Sequence, residues 1–270
     1  MLENAAWVVP AVREGYAHRE EIAKAVGFFT DWLNRKKQHL VVTGMSGVGK
    51  TVLYDYLVGN GFEKGYSPPK QQSEKPESGK VLFEDGKTVI SVFPGQKNVS
   101  EINRATSKLV EKYGTPDGII HVVSNGLAET RNPLLKKDLE EKFPSIKAYQ
   151  EETLVGELDD LKATLDLLRQ YHDKDHKPSW LVVAATKCDL YADNLANVSS
   201  YYDPEGDSEF VATLKEFQKE VGERKFRWSA KPVCCSLVPF VWEEEILHCK
   251  VTEPQRNKMV DDFIQHLGSY

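Results

Sequence analysis

The sequence lacks the features of several protein classes. No apolar run in its 270 residues approaches the ~18 to 20 residues that a membrane-spanning helix needs. Basic residues are also scarce, since 35 Lys and Arg face 41 Asp and Glu, which gives a formal net charge of −6. This balance argues against a nucleic-acid partner. The hydrophobic content of 40% is that of an ordinary globular protein, long enough for one large domain.

Cysteine is sparse, and its spacing does not indicate a zinc or redox site. Cys188, Cys234, Cys235 and Cys249 include no C-x-x-C pair. We therefore predict reduced thiols that serve packing, with the adjacent Cys234 and Cys235 on opposite faces if they lie on a strand. The first twenty residues contain acids where a secretory signal needs bases and a long apolar stretch. Together these features predict a cytoplasmic protein.

From His39 onward, short apolar runs alternate with helical segments. This order predicts an α/β fold with a mostly parallel sheet and helices on both faces. Asp85 and Gly86 lie between two of the runs and predict a hairpin, so we expect six strands, one of them antiparallel. The six predicted strands are HLVVT, KVLFE, KTVISVF, GIIHVV, WLVVAAT and KPVCCSL.

The chain divides into a short amino-terminal part and one large domain. Residues 1–37 contain an amphipathic stripe and are predicted to form a helical extension, followed by a domain over residues 38–270. An extended insert around residues 127–179 carries leucines at helical spacing between positions 154 and 168. The last segment, PQRNKMVDDFIQHLG, is also amphipathic and predicts a carboxyl-terminal helix.

A glycine-rich stretch follows the first predicted strand and leads into a helical segment. It fits the pattern G-x-x-x-x-G-K-[ST] of the phosphate-binding loop, or P-loop. Glycines let the backbone wrap a phosphate, the lysine supplies charge to the β- and γ-phosphates, and the Thr51 hydroxyl binds Mg²⁺. The alternative is an ordinary glycine turn. The predicted phosphate-binding residues are Gly44, Met45, Ser46, Gly47, Val48, Gly49, Lys50 and Thr51.

A second motif, Thr186-Lys187-Cys188-Asp189, directly follows the apolar run WLVVAA. The Asp189 carboxylate can accept two hydrogen bonds from guanine N1–H and its 2-amino group, while the stem of Lys187 lies along the base. Such a site rejects a base without those donors, because the carboxylate would stay unpaired. The alternative is a helix-capping aspartate beside a surface lysine. The pair of motifs predicts a guanine-nucleotide site.

With these two motifs in this order, the chain resembles Ras-like small GTPases, within the translation-factor-related class of P-loop GTPases, over roughly residues 38 to 250. The resemblance implies a GTPase-like nucleotide-binding domain that binds GTP or GDP with Mg²⁺. It also implies a base-contacting turn after the last strand. Ser236 and Leu237 stand there, and the resemblance makes the Leu237 N–H a donor to guanine O6.

The resemblance is weaker at the residues that sense the γ-phosphate. Ser91-Val92-Phe93-Pro94-Gly95-Gln96 is similar to the family's D-x-x-G-Q, in which the Gly amide senses the γ-phosphate and the Gln orients water. Gly95 and Gln96 match, whereas Val92 occupies the position of a Mg²⁺-binding aspartate. The loop from Asn60 to Lys80 has no threonine to close on Mg²⁺. We therefore expect weak metal binding and slow hydrolysis.

Two functions from different classes remain open. The first is a GTP/GDP switch with slow intrinsic hydrolysis, in which Gln96 and Lys50 are catalytic and a protein effector or activator binds. The second is a non-hydrolysing nucleotide-binding scaffold that docks protein partners. An ATP-dependent kinase-like P-loop enzyme is disfavoured by the motif at Thr186–Asp189. The sequence leaves the oligomeric state open.

Overall fold

The computed structural model describes residues 39–63, 65–68, 89–93, 115–175 and 179–270. The predicted amino-terminal extension, the predicted hairpin turn at Asp85 and Gly86, and the strand KVLFE lie outside these residues. None of the described helices is long and apolar enough to cross a membrane.

The described part of the sheet has five strands in the order β2-β1-β3-β4-β5, all parallel to their neighbours. The central strands are runs of β-branched and other apolar residues, as expected for strands that are covered on both faces. The α/β class with a mostly parallel sheet is therefore confirmed. The strands are β1 (His39–Thr43), β2 (Val89–Val92), β3 (Gly118–Val123), β4 (Ser179–Ala185) and β5 (Phe226–Pro232).

Six α-helices are described. The amphipathic segments that the sequence marks within the insert and at the carboxyl end are helical, as predicted. Two helices, Leu195–Tyr202 and Glu209–Val221, form a further pair that was not predicted from the sequence. The helices are α1 (Lys50–Leu57), α2 (Pro133–Lys142), α3 (Ile146–Asp175), α4 (Leu195–Tyr202), α5 (Glu209–Val221) and α6 (Glu253–Leu267).

Two hydrophobic clusters lie on the two faces of the sheet. On one face, α1 and α6 pack on alternate residues of the strands, including Leu40, Ile120 and Val182. On the other face, α3, α4 and α5 pack on the intervening residues, such as Ile119 and Val183. This alternation follows from the opposite directions of successive side chains along a strand.

The prediction of a strand over KPVCCSL is wrong. The last strand of the sheet, β5, covers the preceding residues and ends at Pro232. It pairs with β4 on one side only, so most of its side chains are half-buried and it has no continuous apolar run to reveal it. Cys234 and Cys235 follow the strand rather than lie on it, so the prediction that depended on a strand does not apply, and both are buried, one in each cluster.

A small antiparallel hairpin lies beyond β5. Its strands are β6 (Phe240–Trp242) and β7 (Glu245–Leu247). The Trp242 indole N–H donates to the Phe143 carbonyl, 2.8 Å away, and the ring stacks on Tyr149 with 3.8 Å between centroids. These contacts attach the hairpin to the start of α3.

Candidate nucleotide-binding site

Every predicted site residue that the structure describes follows the carboxyl end of a strand or begins the helix after it. Because all five strands are parallel, these ends meet at one edge of the sheet. The chain leaves β1 for β2 on one side and later returns to β3 on the other, so the order of strands reverses at β1. In open α/β sheets, ligands bind in the crevice at such a reversal.

The P-loop, residues 44–51, joins β1 to α1 with backbone conformations that glycine favours. Gly44 has a φ of 128°, and a Cβ on it would lie 2.3 Å from the Val122 carbonyl oxygen. Gly47 has a φ of 80°, and a Cβ there would lie 2.2 Å from the Glu129 carbonyl oxygen. The chain therefore needs glycine at both positions. The loop ends at the amino terminus of α1, where free backbone N–H groups favour an anion.

The Lys50 ammonium is buried inside the curve of the P-loop. Its Nζ donates to the carbonyl oxygens of Gly44 at 2.7 Å and Met45 at 2.8 Å. Burial lowers the pKa of Lys50 to about 8, although the nearby Asp160 carboxylate acts in the opposite direction. The charge is thus placed beneath the loop that would hold a phosphate.

Thr186 connects the two motifs directly. Its hydroxyl lies 2.5 Å from the Val48 carbonyl oxygen of the P-loop and 2.9 Å from the Val123 carbonyl oxygen at the end of β3. Its backbone N–H also donates to Val123, at 2.8 Å. These contacts hold residue 186 against the P-loop at the edge of the sheet. The Thr186 hydroxyl hydrogen-bonds to protein carbonyls in this arrangement.

Lys187 is fixed by the segment that follows β3. Its Nζ donates to the Leu127 carbonyl oxygen at 2.7 Å and lies 5.4 Å from the centre of the Phe240 ring. Its φ of 55° is in the left-handed region, which a lysine rarely adopts without support from its surroundings. Burial lowers the pKa of Lys187 to about 8.

Asp189 lies beside the chain that leaves β5. Only 2% of its surface is exposed, and the Cys234 thiol donates to its Oδ1 at 3.5 Å. Burial raises the pKa of this carboxyl above its usual value. Its side-chain partners Cys234 and Cys249 are thiols, which are weak donors, so the carboxylate gains from a ligand that brings two N–H groups.

The turn after β5 lies next to Asp189. The Cys234 thiol lies 3.3 Å from the Ser236 carbonyl oxygen, and Leu237 is half-buried against the cluster that contains α3. The side chain that contacts Asp189 is therefore that of Cys234, two residues before Ser236. The predicted role of the Leu237 N–H stays a prediction.

Sequence reasoning missed Glu157, a fully buried glutamate on α3. Its Oε1 accepts hydrogen bonds from the Ser124 N–H at 2.8 Å, the Ser124 hydroxyl at 3.1 Å and the Gly126 N–H at 3.2 Å. Its Oε2 accepts from the Tyr202 hydroxyl at 2.6 Å. Burial raises the pKa of Glu157, and these donors lower it in part. The acidic neighbours Asp159 and Asp160 give this stretch the pattern of a solvated helix face.

Two further buried polar groups lie near Lys50. His121 on β3 shares a hydrogen bond with the Thr43 hydroxyl at 2.9 Å, and burial lowers its pKa to about 3, so the ring is neutral. Burial also raises the pKa of Asp160 to about 6. Neither His121 Nε2 nor Asp160 Oδ2 has a hydrogen-bond partner within the described part of the chain.

The residues available for Mg²⁺ are few. Thr51 begins α1 and is half-buried, so its hydroxyl fits the role of a ligand. Val92 ends β2 with 5% of its surface exposed and packs in the cluster with α1, so this position offers no carboxylate. Gly95 and Gln96 lie outside the described residues. Among the residues that are described, no group of three or more acidic, His or Cys side chains can hold a metal.

No protein-family model matches the chain, and no curated protein matches it by sequence. Among the solved structures similar to it are two proteins bound to GDP. One is an ADP ribosylation factor-like GTP-binding protein, the small COPII coat GTPase SAR1 from Encephalitozoon cuniculi in complex with GDP. It is 14% identical to this chain and has a TM-score of 0.42, and the match covers 94% of this chain and 91% of that chain.

The other is the RocCORdC portion of Methanosarcina barkeri Roco2 bound to GDP, with 14% identity and a TM-score of 0.37. That match covers 86% of this chain and 48% of the other, so this chain spans about half of its length. At such TM-scores, neither likeness assigns a family or a ligand to this chain.

Proposed function

We propose that this chain binds GDP and GTP in the crevice between the P-loop and the segment Thr186–Asp189, as a P-loop GTPase does. The observation that carries the proposal is the 2.5 Å contact from the Thr186 hydroxyl to the Val48 carbonyl. It holds the two motifs together at one sheet edge, with Asp189 buried three residues further on.

Each part of the nucleotide would have its own partner. The P-loop N–H groups and the Lys50 ammonium would bind the phosphates. Asp189 would accept hydrogen bonds from guanine N1–H and the 2-amino group, while the stem of Lys187 would cover one side of the base. Backbone N–H groups of the turn at Ser236 and Leu237 would face guanine O6.

The Thr51 hydroxyl would bind Mg²⁺, and Ser67, Ser73 or Ser78 could supply a second hydroxyl. Mg²⁺ in nucleotide sites is commonly held by one or two carboxylates together with the phosphates. Because Val92 contributes no carboxylate, we expect the metal to depend on the phosphates and to bind weakly. When bound, it would neutralise charge on the β- and γ-phosphates.

The first candidate function is a slow GTP/GDP switch. In it, Lys50 would stabilise the charge that develops on the bridging oxygen, and Gln96 would orient the attacking water with Gly95 beside the γ-phosphate. A protein effector or activator in the cytoplasm would bind where the segments about 60–80 and 94–103 respond to the γ-phosphate.

The second candidate is a non-hydrolysing scaffold that keeps its nucleotide and docks protein partners. Val92 favours the scaffold, because its side chain has no oxygen to bind Mg²⁺ and is buried in the hydrophobic cluster. A single-turnover assay of phosphate release with Mg²⁺ separates the two functions. The switch requires native hydrolysis above background that Gln96→Ala lowers; equal background rates support the scaffold.

The binding proposal is tested by isothermal titration of the native protein with GDP and ADP. We expect GDP to bind at least about 100-fold more tightly than ADP, since adenine cannot give the buried Asp189 carboxylate the two hydrogen bonds that guanine N1–H and its 2-amino group would donate. Asp189→Ala should remove this preference. Equal affinity for GDP and ADP, or GDP affinity unchanged in Asp189→Ala, would contradict guanine recognition.

A further inference from the structure

One loop lies between the two motifs and contacts both. It is the segment 124–129, which follows β3. The Glu129 N–H donates to the Gly47 carbonyl oxygen of the P-loop at 3.0 Å. Two residues earlier, the Leu127 carbonyl oxygen accepts the hydrogen bond from Lys187 Nζ. A shift of this loop would therefore move the phosphate side and the base side of the crevice together.

Helix α3 holds this loop through three side chains. Gln150 Nε2 donates to the Asn125 carbonyl oxygen at 2.7 Å, and the Tyr149 hydroxyl donates to the Ala128 carbonyl oxygen at 2.8 Å. Glu157 accepts from two backbone N–H groups and one hydroxyl of the loop.

Glu157 differs from Gln150 and Tyr149 because it is a buried carboxylate that accepts several hydrogen bonds. A carboxylate without such donors would not be stable in this interior, and the donors would be left unpaired without it. Its Oε2 is fixed by Tyr202 of α4, so the carboxyl plane has a set orientation. The loop is thus anchored to two helices through one side chain.

We propose that Glu157 is a positioning residue for nucleotide binding, which fixes the loop 124–129 and, through it, both Lys187 and the P-loop. This inference rests on the proposed function, since the ligand it serves is the guanine nucleotide. The Glu157 carboxylate hydrogen-bonds to the loop and to Tyr202, so its main effect on affinity should pass through Leu127 and Glu129.

The test compares GDP affinity with stability in a set of variants. Glu157→Leu removes the acceptors at similar volume, and Glu157→Gln keeps one oxygen for the loop. Phe217→Leu is the control, because Phe217 is buried on α5 against Phe226, outside the crevice. GDP dissociation constants are measured by titration at a temperature at which circular dichroism shows all variants to be folded.

We expect Glu157→Leu to weaken GDP binding at least about tenfold. Glu157→Gln should weaken it by less than about threefold, because the amide oxygen can still accept hydrogen bonds from the loop. Phe217→Leu should lower the melting temperature and leave the GDP affinity within about twofold, because it is distant from the crevice. If Glu157→Leu does not fold, Glu157→Asp replaces it. The shorter aspartate side chain cannot reach both Ser124 and Tyr202, so GDP affinity should fall by about threefold to tenfold.

The route of the effect is tested in a Lys187→Ala background. If Glu157 acts through the loop, Glu157→Leu should weaken GDP binding less in that background than in the native protein, a non-additivity that independent sites do not show. GDP affinity unchanged by Glu157→Leu or Glu157→Asp would overturn the inference, as would an equal loss in Phe217→Leu. Absence of GDP binding by the native protein would instead overturn the proposed function.

Discussion

Among single residues, Thr186 is the side chain whose contacts define the site. Its hydroxyl is buried between two backbone carbonyls from different segments, Val48 and Val123. The family resemblance assigns this position to the nucleotide, whereas the structure gives its hydroxyl a partner in the P-loop. We infer that Thr186 aligns the P-loop with the segment that carries Asp189.

Thr186→Val should therefore lower stability as well as GDP affinity. Valine has the same shape without the hydroxyl, so the Val48 and Val123 carbonyls lose a buried donor, at a cost of about 1 to 3 kcal/mol in the free energy of unfolding. Urea denaturation measures this cost. Thr213→Val is the control, because the Thr213 hydroxyl donates to the Glu209 carbonyl on the outer part of α5 and should change stability by less than about 0.5 kcal/mol. Equal losses in both variants would contradict the role of Thr186.

Lys50 predicts the pH dependence of nucleotide binding. Its pKa is lowered to about 8 in the free protein, and phosphates beside the ammonium would raise it. The complex then holds more protons than the free protein at and above pH 8, so GDP affinity should fall as pH rises from 7 to 9. Titration at pH 8.5 in buffers of different ionisation enthalpy should show net proton uptake.

Lys187 has a similarly lowered pKa, so it is the necessary control. Proton uptake should persist in Lys187→Ala if Lys50 is the source, because the Lys50 ammonium is the group that we propose to face the phosphates. Binding without proton uptake at pH 8.5 in the native protein would contradict the placement of Lys50.

Among the elements, α3 is the one that supports both the sheet and the site. It is 30 residues long and packs its leucines on one sheet face. Leu161 has 0% of its surface exposed, whereas Leu134 on α2 has 77% exposed. Leu161→Ala should lower the free energy of unfolding by about 2 to 5 kcal/mol, and Leu134→Ala by less than about 0.5 kcal/mol. Similar values for both in urea denaturation would contradict the described packing of α3.

The sequence predicts elements well where one periodicity dominates. The runs at β1, β3 and β4 are mostly apolar, and α3 and α6 show clear apolar stripes, so their positions are confirmed. The missed helix α5 does carry a signal, since Ser208 caps it and Phe210, Leu214 and Phe217 share one face. Strand β5 carries a weak signal because it lies at the sheet edge.

Some site residues can be predicted from a short stretch of sequence, and others cannot. The glycines and Lys50 follow from local backbone and charge requirements, which a short motif contains. Glu157 could not be identified from its neighbours, because its partners Ser124 and Tyr202 are 33 and 45 residues away in the chain. Only the folded arrangement brings these groups together.

For the whole molecule, we propose that two segments far apart in the chain form one guanine-nucleotide site. The direct test is incubation of the purified protein with an equimolar mixture of GDP, ADP, CDP and UDP, followed by desalting, denaturation and anion-exchange chromatography of the released nucleotide. GDP should be retained in large excess over the other three nucleotides. Retention of the four nucleotides in similar amounts, or of none, would contradict it.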